Sequence, residues 1–339
     1  MESINAKYVS QKISKTRWSP VSYSSLQQPE VFAAGSWDNE DNKISIWSTG
    51  NQNNSGLEDG FEGDPQILCE HKHDGDVLDL QTISVLQQWP RAHSYPCDNA
   101  PCTAVVCSSP EIVTVGEDGR IVVFRADQEG AVRVIENADS STIHAVTYLR
   151  TTEVLTVNSI GQLKLWDLRQ QTSSPSQILS LSGDRAPLHC VDRHPNQQHI
   201  VATGGQDGML CVWDVRQGGT PISLMEAHSA EMWEIHFHPT NPDHLFTCSE
   251  DGSLLHWETA SHSEMPSFLQ GGRNSAVNSH GNRPLSSAWL SGDSGKGRLE
   301  TTHMLPSQTM SVNSLDVIGQ CLVCGTDGEA IFVNRRVPV

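Results

Sequence analysis

The chain has 339 residues, 37% of them hydrophobic, and carries 22 Lys and Arg against 40 Asp and Glu, a formal net charge of -18. That length suits one large all-β domain or two ordinary ones, and so acidic a surface repels nucleic-acid phosphates and anionic lipid, which argues against direct nucleic-acid binding and membrane insertion. No run approaches the ~18 apolar residues of a membrane span, no apolar stretch near the N-terminus resembles a signal peptide, and nine cysteines, an odd number, point to thiols in a reducing compartment.

In chain order, KYVSQKI (7–13) reads as a strand, and VFAAGSWDNEDNKISIWS (31–48) as a strand pair with an enlarged turn, closing at Trp47. Residues 48–76 carry seven acids against one Lys and read as an acidic surface loop. HDGDVLDL (73–80) reads as the inner strand of a further unit, but the next segment, 81–101, has no Asp-Gly turn and carries Pro90, Pro96 and Pro101, which discourage a ladder. Four regular units follow, in which Asp118, Ile160, Asp207 and Asp251 each precede a Gly and stand six residues before Phe124, Trp166, Trp213 and Trp257. A two-residue turn with Gly second is the connection that matches strand twist. β-branched runs such as TIHAVTYL, PLHCVDRHP and EMWEIHFHP lie upstream. Residues 260–298 form a Ser/Gly/Asn-rich insertion whose SSAWL offers one apolar docking point. The last unit ends at Val333 with no room for a fourth strand, so the N-terminal strand is expected to supply it.

The closing aromatics are spaced 42, 47 and 44 residues apart, and a period near 40–45 with four short strands marks a β-propeller blade. The expectation is a single all-β propeller over residues 1–339. It follows a seven-blade plan with blade 2 truncated to an irregular remnant at 81–101, and closes by pairing the N-terminal strand with the C-terminal blade.

These residues resemble WD repeats, in which a His and a Ser or Thr complete a buried tetrad with the turn Asp and the Trp. His228, Thr247, Asp251 and Trp257 match all four positions; Thr203, Asp207 and Trp213 match three, with Asp184 where the His would stand; Asp139 and Ile160 break the pattern in the unit ending at Trp166. His, Ser/Thr and Asp are also the residue types of a hydrolytic triad, but here they share tetrad positions with Trp, and no nucleophile elbow, phosphate loop or HExxH occurs. Cys321 and Cys324 have zinc-knuckle spacing without a second pair, and on a strand they face opposite ways. Cys97, Cys102 and Cys107 with His93 fit no zinc pattern. Neither a cofactor nor a metal is expected.

Three groups of side chains are candidates for interaction. WDLRQ (166–170) and WDVRQ (213–217) place Asp167, Arg169, Asp214 and Arg216 in a tandem WDxR pattern. It resembles the motif by which substrate receptors dock onto a cullin-4 ubiquitin-ligase adaptor; the other reading is a local surface pair in each unit. Trp233 is a candidate aromatic anchor, with His189 and His144 as its register equivalents.

Longer stretches carry a closer resemblance. YVSQKISKTRW, VTVGEDGR, NADSSTIHAV, DRHPNQQHIVATGGQDGM and HLFTCSEDGSL are similar to the family of small, forty-three-kilodalton WD-repeat nucleoporins of vertebrates. The similarity covers almost the whole chain and departs at residues 81–101. It implies a structural, non-enzymatic subunit of the Y-shaped scaffold complex of the nuclear pore, with α-helical solenoid and β-propeller nucleoporins as partners. It also implies support of mRNA export and protein transport at the nuclear envelope, and a place at kinetochores in mitosis. The alternative is a substrate receptor of a cullin-4 ligase.

Overall fold

The computed structural model describes residues 4–20, 28–49, 65–81, 89, 91–181, 186–259, 289, 299–306 and 310–339. Within them the chain forms 24 strands arranged as six four-stranded antiparallel sheets. The first sheet is β2 (Ile13–Trp18), β3 (Val31–Ser36), β4 (Asn42–Ser48) and β5 (Gln66–His73); the second is β6 (Cys102–Ser108), β7 (Glu111–Gly116), β8 (Ile121–Arg125) and β9 (Arg133–Ile135). The third is β10 (Ile143–Arg150), β11 (Glu153–Asn158), β12 (Gln162–Asp167) and β13 (Gln177–Ser180); the fourth is β14 (Leu188–Arg193), β15 (Ile200–Gly205), β16 (Met209–Asp214) and β17 (Ser223–Glu226). β18 (Met232–Phe237), β19 (His244–Ser249), β20 (Leu254–Thr259) and β21 (Leu299–His303) make the fifth. The sixth joins β22 (Val312–Ile318), β23 (Cys321–Thr326) and β24 (Ala330–Asn334) to β1 (Ile4–Tyr8) from the other end of the chain.

β1 runs antiparallel to β24, from Ile4 opposite Asn334 to Tyr8 opposite Ala330. Closure by the N-terminal strand therefore holds, three residues earlier than KYVSQKI suggests. The core lies between the sheets: Trp166 and Trp213 are 1% and 0% exposed, each filling the space to a neighbouring sheet. The turn glycine is required twice over at Gly208, where φ is +70 and a Cβ would sit 2.3 Å from the His228 carbonyl oxygen of the next loop. Cys321 and Cys324 are both buried and lie in different core clusters, on opposite faces of β23.

The expected seven-blade plan is corrected to six sheets. Gln66–His73, read from sequence as part of an acidic loop, is the fourth strand of the first sheet. Residues 76–80, expected as a laddered inner strand, run extended with no strand partner among the described residues. They take the seat of an inner strand all the same. A Cβ on Gly35 would lie 2.4 Å from Val77, just as one on Gly325 would lie 2.3 Å from Ile13 of β2. Val77 donates its N–H to the Ser36 carbonyl at 3.1 Å and accepts from the Ser14 hydroxyl, while Val77 and Leu80 bury against Ala33, Ile44 and Ile46. From residue 91 the remnant is ordered against the second sheet: Ser94 bridges Asn99, and His93 is 2% exposed. Residues 82–88 and 90 of that remnant, and most of the 260–298 insertion, lie outside the described residues. Within SSAWL, Trp289 is buried, donates to the Pro242 carbonyl at 2.9 Å and meets Phe237 edge-on at 5.6 Å.

Removal of residues 1–9 leaves β24 as an edge strand. At ~1 kcal/mol per net ladder bond the expected loss is roughly 2–5 kcal/mol, read by chemical denaturation. Hydrogen exchange at the amides of Ala330–Asn334 is expected to accelerate more than exchange in β15.

Candidate functional site

The six innermost strands share one irregularity. Each has a β-bulge after its first residue, between Ile13 and Lys15, Cys102 and Ala104, Ile143 and Ala145, Leu188 and Cys190, Met232 and Glu234, and Val312 and Ser314. A bulge re-aims the side chain of the extra residue, and in the third, fourth and fifth sheets that residue is His144, His189 and Trp233. The three rings form a row: His144 stacks on His189 at 4.8 Å, and His189 meets Trp233 edge-on at 5.4 Å. His144 Nε2 lies 2.9 Å from the Ser159 hydroxyl, and Trp233 donates its indole N–H to Ser311 at 3.1 Å. Trp233 is thus half-buried, with its polar handle spent on the sixth sheet. Among the described residues His189 Nε2 has no hydrogen-bond partner, the Glu231 carboxylate lying 3.7 Å away. Burial lowers the His189 pKa; burial and then the neighbouring His189 bring that of His144 down to about 4.

Deeper in the channel, a charged pin crosses between sheets that are not neighbours. Glu234 of β18 takes the Lys15 ammonium at 2.5 Å and the Arg17 guanidinium at 2.8 Å, both from β2, and accepts the Leu315 N–H of the intervening β22 at 2.8 Å. Burial alone would raise the Glu234 carboxyl, but Arg17 and Lys15 hold it well below the usual carboxylate range. His236, 3.5 Å away and half-buried, has its pKa lowered by desolvation but held raised overall by Glu234. Arg17 also reaches Asp79 at 3.3 Å. Three aspartates clip one inner strand to the next by accepting a backbone N–H: Asp79 from Val105 at 2.9 Å, Asp192 from Phe237 at 2.8 Å, and Asp316 from Trp18 at 2.7 Å. What remains of the channel is a cavity of about 220 Å³.

The tetrad holds where all four residues occur. Trp257 donates to Thr247 Oγ1 at 3.0 Å, and Thr247 lies 2.7 Å from His228 Nε2. His228 Nδ1 is 2.8 Å from Ser253 and 3.3 Å from Asp251. In the fourth sheet Trp213 donates to Thr203 at 2.9 Å, but Asp207 is exposed and merely accepts the Met209 N–H across its turn; Asp184 lies outside the described residues. Asp207 is therefore corrected from tetrad member to turn residue. In the third sheet Asp139 takes the histidine's place, fully buried against Lys164 at 2.8 Å and the Asn158 amide at 2.7 Å. The second sheet has a tetrad histidine that its repeat spacing hides. His93 sits 2.9 Å from both Asp118 and Thr114, with Phe124 in the Trp position and Trp89 stacked on it at 4.5 Å. His73, the sequence candidate for such a place, instead lies 3.1 Å from the carbonyl of Gly75.

The two WDxR segments are self-contained. Arg169 forks onto Asp167 at 3.0 and 3.1 Å, and Arg216 onto Asp214 at 2.9 and 2.5 Å. Hydrogen bonds from Arg169 bring the Asp167 carboxyl down to about 2. Among the described residues no group of three or more His, Cys, Asp or Glu could hold a metal ion.

Two stretches, residues 175–214 and 219–258, match the family model described as WD domain, G-beta repeat. Each runs from the outer strand of one sheet to the Trp-bearing strand of the next. Over 378 residues the chain is 59% identical to nucleoporin Nup43 of Mus musculus and to that of Homo sapiens, covering 99% of this chain and 100% of each relative. A nuclear pore complex protein NUP43 of Arabidopsis thaliana is 29% identical over 42% of this chain and 46% of its own length.

Thr247→Val removes the acceptor of Trp257 and the partner of His228, at an expected cost of about 1–3 kcal/mol. Asp139→Asn leaves the Lys164 ammonium buried without its counter-charge and is expected to cost more, about 3–5 kcal/mol; urea denaturation measures both. A pH series gives a third outcome. Burial, joined at His256 by the charge of His244, brings His256 and His194 down to about 4, as it does His144. The unfolded chain takes up these protons near pH 6.5 and the folded chain only near pH 4, so stability falls as pH drops through that window. His256→Gln is expected to shallow the slope of melting temperature against pH; an unchanged slope removes His256 from the account.

Proposed function

The chain belongs to the Nup43 family of WD-repeat nucleoporins, and from that membership we propose that it is a non-enzymatic structural subunit of the outer-ring scaffold of the nuclear pore. It is a Y-complex component seated among α-helical solenoid and β-propeller nucleoporins. In this role it supports pore assembly, mRNA export and protein transport at the nuclear envelope, and accompanies its complex to kinetochores in mitosis. The observation that carries the reading is 59% identity to the mouse and human relatives over their full length. The geometry supports it. The Glu234 pin crosses the channel beside a cavity of about 220 Å³, and the rim and the two faces offer the broader contact surfaces.

The matched stretch of 378 residues exceeds the 339 of this chain by 39, close to one repeat period. Together with the solitary strand at 76–80 this supports a further reading: the chain is a shortened form whose second blade has lost all but its inner strand. The cullin-4 alternative gains nothing from the WDxR geometry, since each arginine is already satisfied by its own aspartate.

A tagged copy recovered from interphase nuclei is expected to bring stoichiometric nucleoporins, and Arg169→Ala with Arg216→Ala to leave the recovered set unchanged. Recovery of a cullin-4 adaptor in place of nucleoporins, lost in the double variant, overturns the assignment. Imaging of the tagged chain through mitosis tests the kinetochore arm on its own.

A further inference from the structure

We propose that the cleft between the first and second sheets is a docking groove for an extended segment of a partner chain with alternating basic and apolar residues, which adds a strand alongside residues 76–80. The cleft has a volume of about 590 Å³ and an apolar floor that includes Ile44, Val77, Leu78 and Ala100. Asp74, Asp76 and Glu117 stand exposed around it, and among the described residues its lining contains no Lys or Arg. Asp76 uses one oxygen on Asp38 N–H and Asn42, and Glu117 accepts the Tyr95 hydroxyl; Asp79, deeper, is spent on Arg17 and Val105.

The backbone is as telling as the charge. Every inner strand of the six sheets pairs with a second strand, whereas 76–80 has no ladder partner among the described residues. Val77 turns both its N–H and its C=O to the first sheet. By the alternation of an extended chain Leu78 turns its own groups the other way, and it exchanges no backbone hydrogen bond with any described residue. An unpartnered extended edge beside an apolar floor is what strand addition uses: main-chain bonds give affinity, and alternate side chains give specificity.

The rim selects the occupant. A segment whose alternate residues are Lys or Arg meets the three carboxylates while the residues between them meet the floor. Residues 82–88, TISVLQQ, carry no cation, and a second copy of this chain brings a net charge of -18, so neither neutralises the rim.

The test uses the full chain and a fluorescent nine-residue peptide of alternating Lys and Val, followed by anisotropy. Saturable binding is expected, at least ten-fold weaker for Asp74→Asn with Glu117→Gln and at least ten-fold weaker when the central Val of the peptide is Pro. Both substitutions fall on exposed side chains, and an unchanged melting temperature confirms that the variant is folded. Equal binding by the variant means adhesion to the acidic surface at large and overturns the proposal, as does equal binding by the Pro peptide or no binding at all. Binding that appears only when residues 82–88 are replaced by Gly-Ser repeats assigns the groove to the chain itself and also overturns it. So does a concentration-dependent dimer that the double variant abolishes.

Discussion

A four-stranded blade has two apolar faces and can cover neither alone, so the packing of every sheet here depends on the ring having no open flank. Five of the joins between neighbouring sheets are made by inner strands packed side by side, and in the sixth, among the described residues, 76–80 take that place. Residues 76–80 make two contacts that recur at other joins. The first is an apolar residue pressed into the glycine notch of the preceding sheet, which Val77 supplies at Gly35 as Ile13 does at Gly325. The second is a carboxylate reaching the next inner strand, which Asp79 supplies at Val105 as Asp192 does at Phe237 and Asp316 at Trp18. With both in place, the remaining three strands of a blade can be absent without leaving the first and second sheets unlinked. What they leave behind is the cleft on the outer side of the join.

The local units were legible in the sequence because a blade is a local object. The Asp-Gly to Trp interval, the β-branched runs upstream and the lack of a fourth C-terminal strand are all read within one repeat, and each appears in the structure. The number of blades was not legible, because it is set by closure between residues far apart in sequence. The acidic count over 48–76 hid β5, since Gln66–His73, unlike β9 and β13 with their buried Ile135 and Leu179, is almost wholly exposed and carries no apolar alternation. His93 was missed for a related reason. In the fifth sheet the tetrad histidine precedes its inner strand by four residues, at His228 and Met232, whereas His93 precedes Cys102 by nine, the difference being taken up by the turn that Ser94 and Asn99 close. Asp139 looked like a broken tetrad because its partner, Lys164, lies on β12 at a position that reads as solvent-facing.

The channel shows which kind of residue a repeat pattern cannot assign. Lys15, Arg17 and Glu234 belong to no motif and come from blades at opposite ends of the sequence. In a narrower ring than the repeat count suggests, inner strands two blades apart come within side-chain reach, so a carboxylate on β18 can serve two cations on β2. Breaking such a buried set by removing one partner is expensive, because the remaining charge keeps its desolvation cost without its compensation. Replacing the whole set with apolar side chains need not be. The network therefore argues for a fixed arrangement of the fifth, sixth and first sheets more than for a large net gain in stability.

That arrangement has a consequence for recognition. Lys15, Arg17 and Lys164 stand against Glu234, Asp79 and Asp139 in buried ion pairs. The formal excess of -18 makes the exterior field negative, and it acts on approaching molecules over about 8 Å at physiological ionic strength. A channel reduced to a cavity of about 220 Å³ leaves the outer surfaces as the larger ones on offer. The protein's partners must therefore meet an acidic exterior, and encounter is favoured for basic contact surfaces and weakened by salt. The neutral aromatic row of His144, His189 and Trp233 is the exception at the channel mouth. Only an occupant without a strong charge preference gains from it, since both imidazoles are held neutral by burial. The molecule thus presents two chemically distinct places to a scaffold: an extended acidic exterior that sets who approaches, and a small uncharged aromatic surface that rewards close fit.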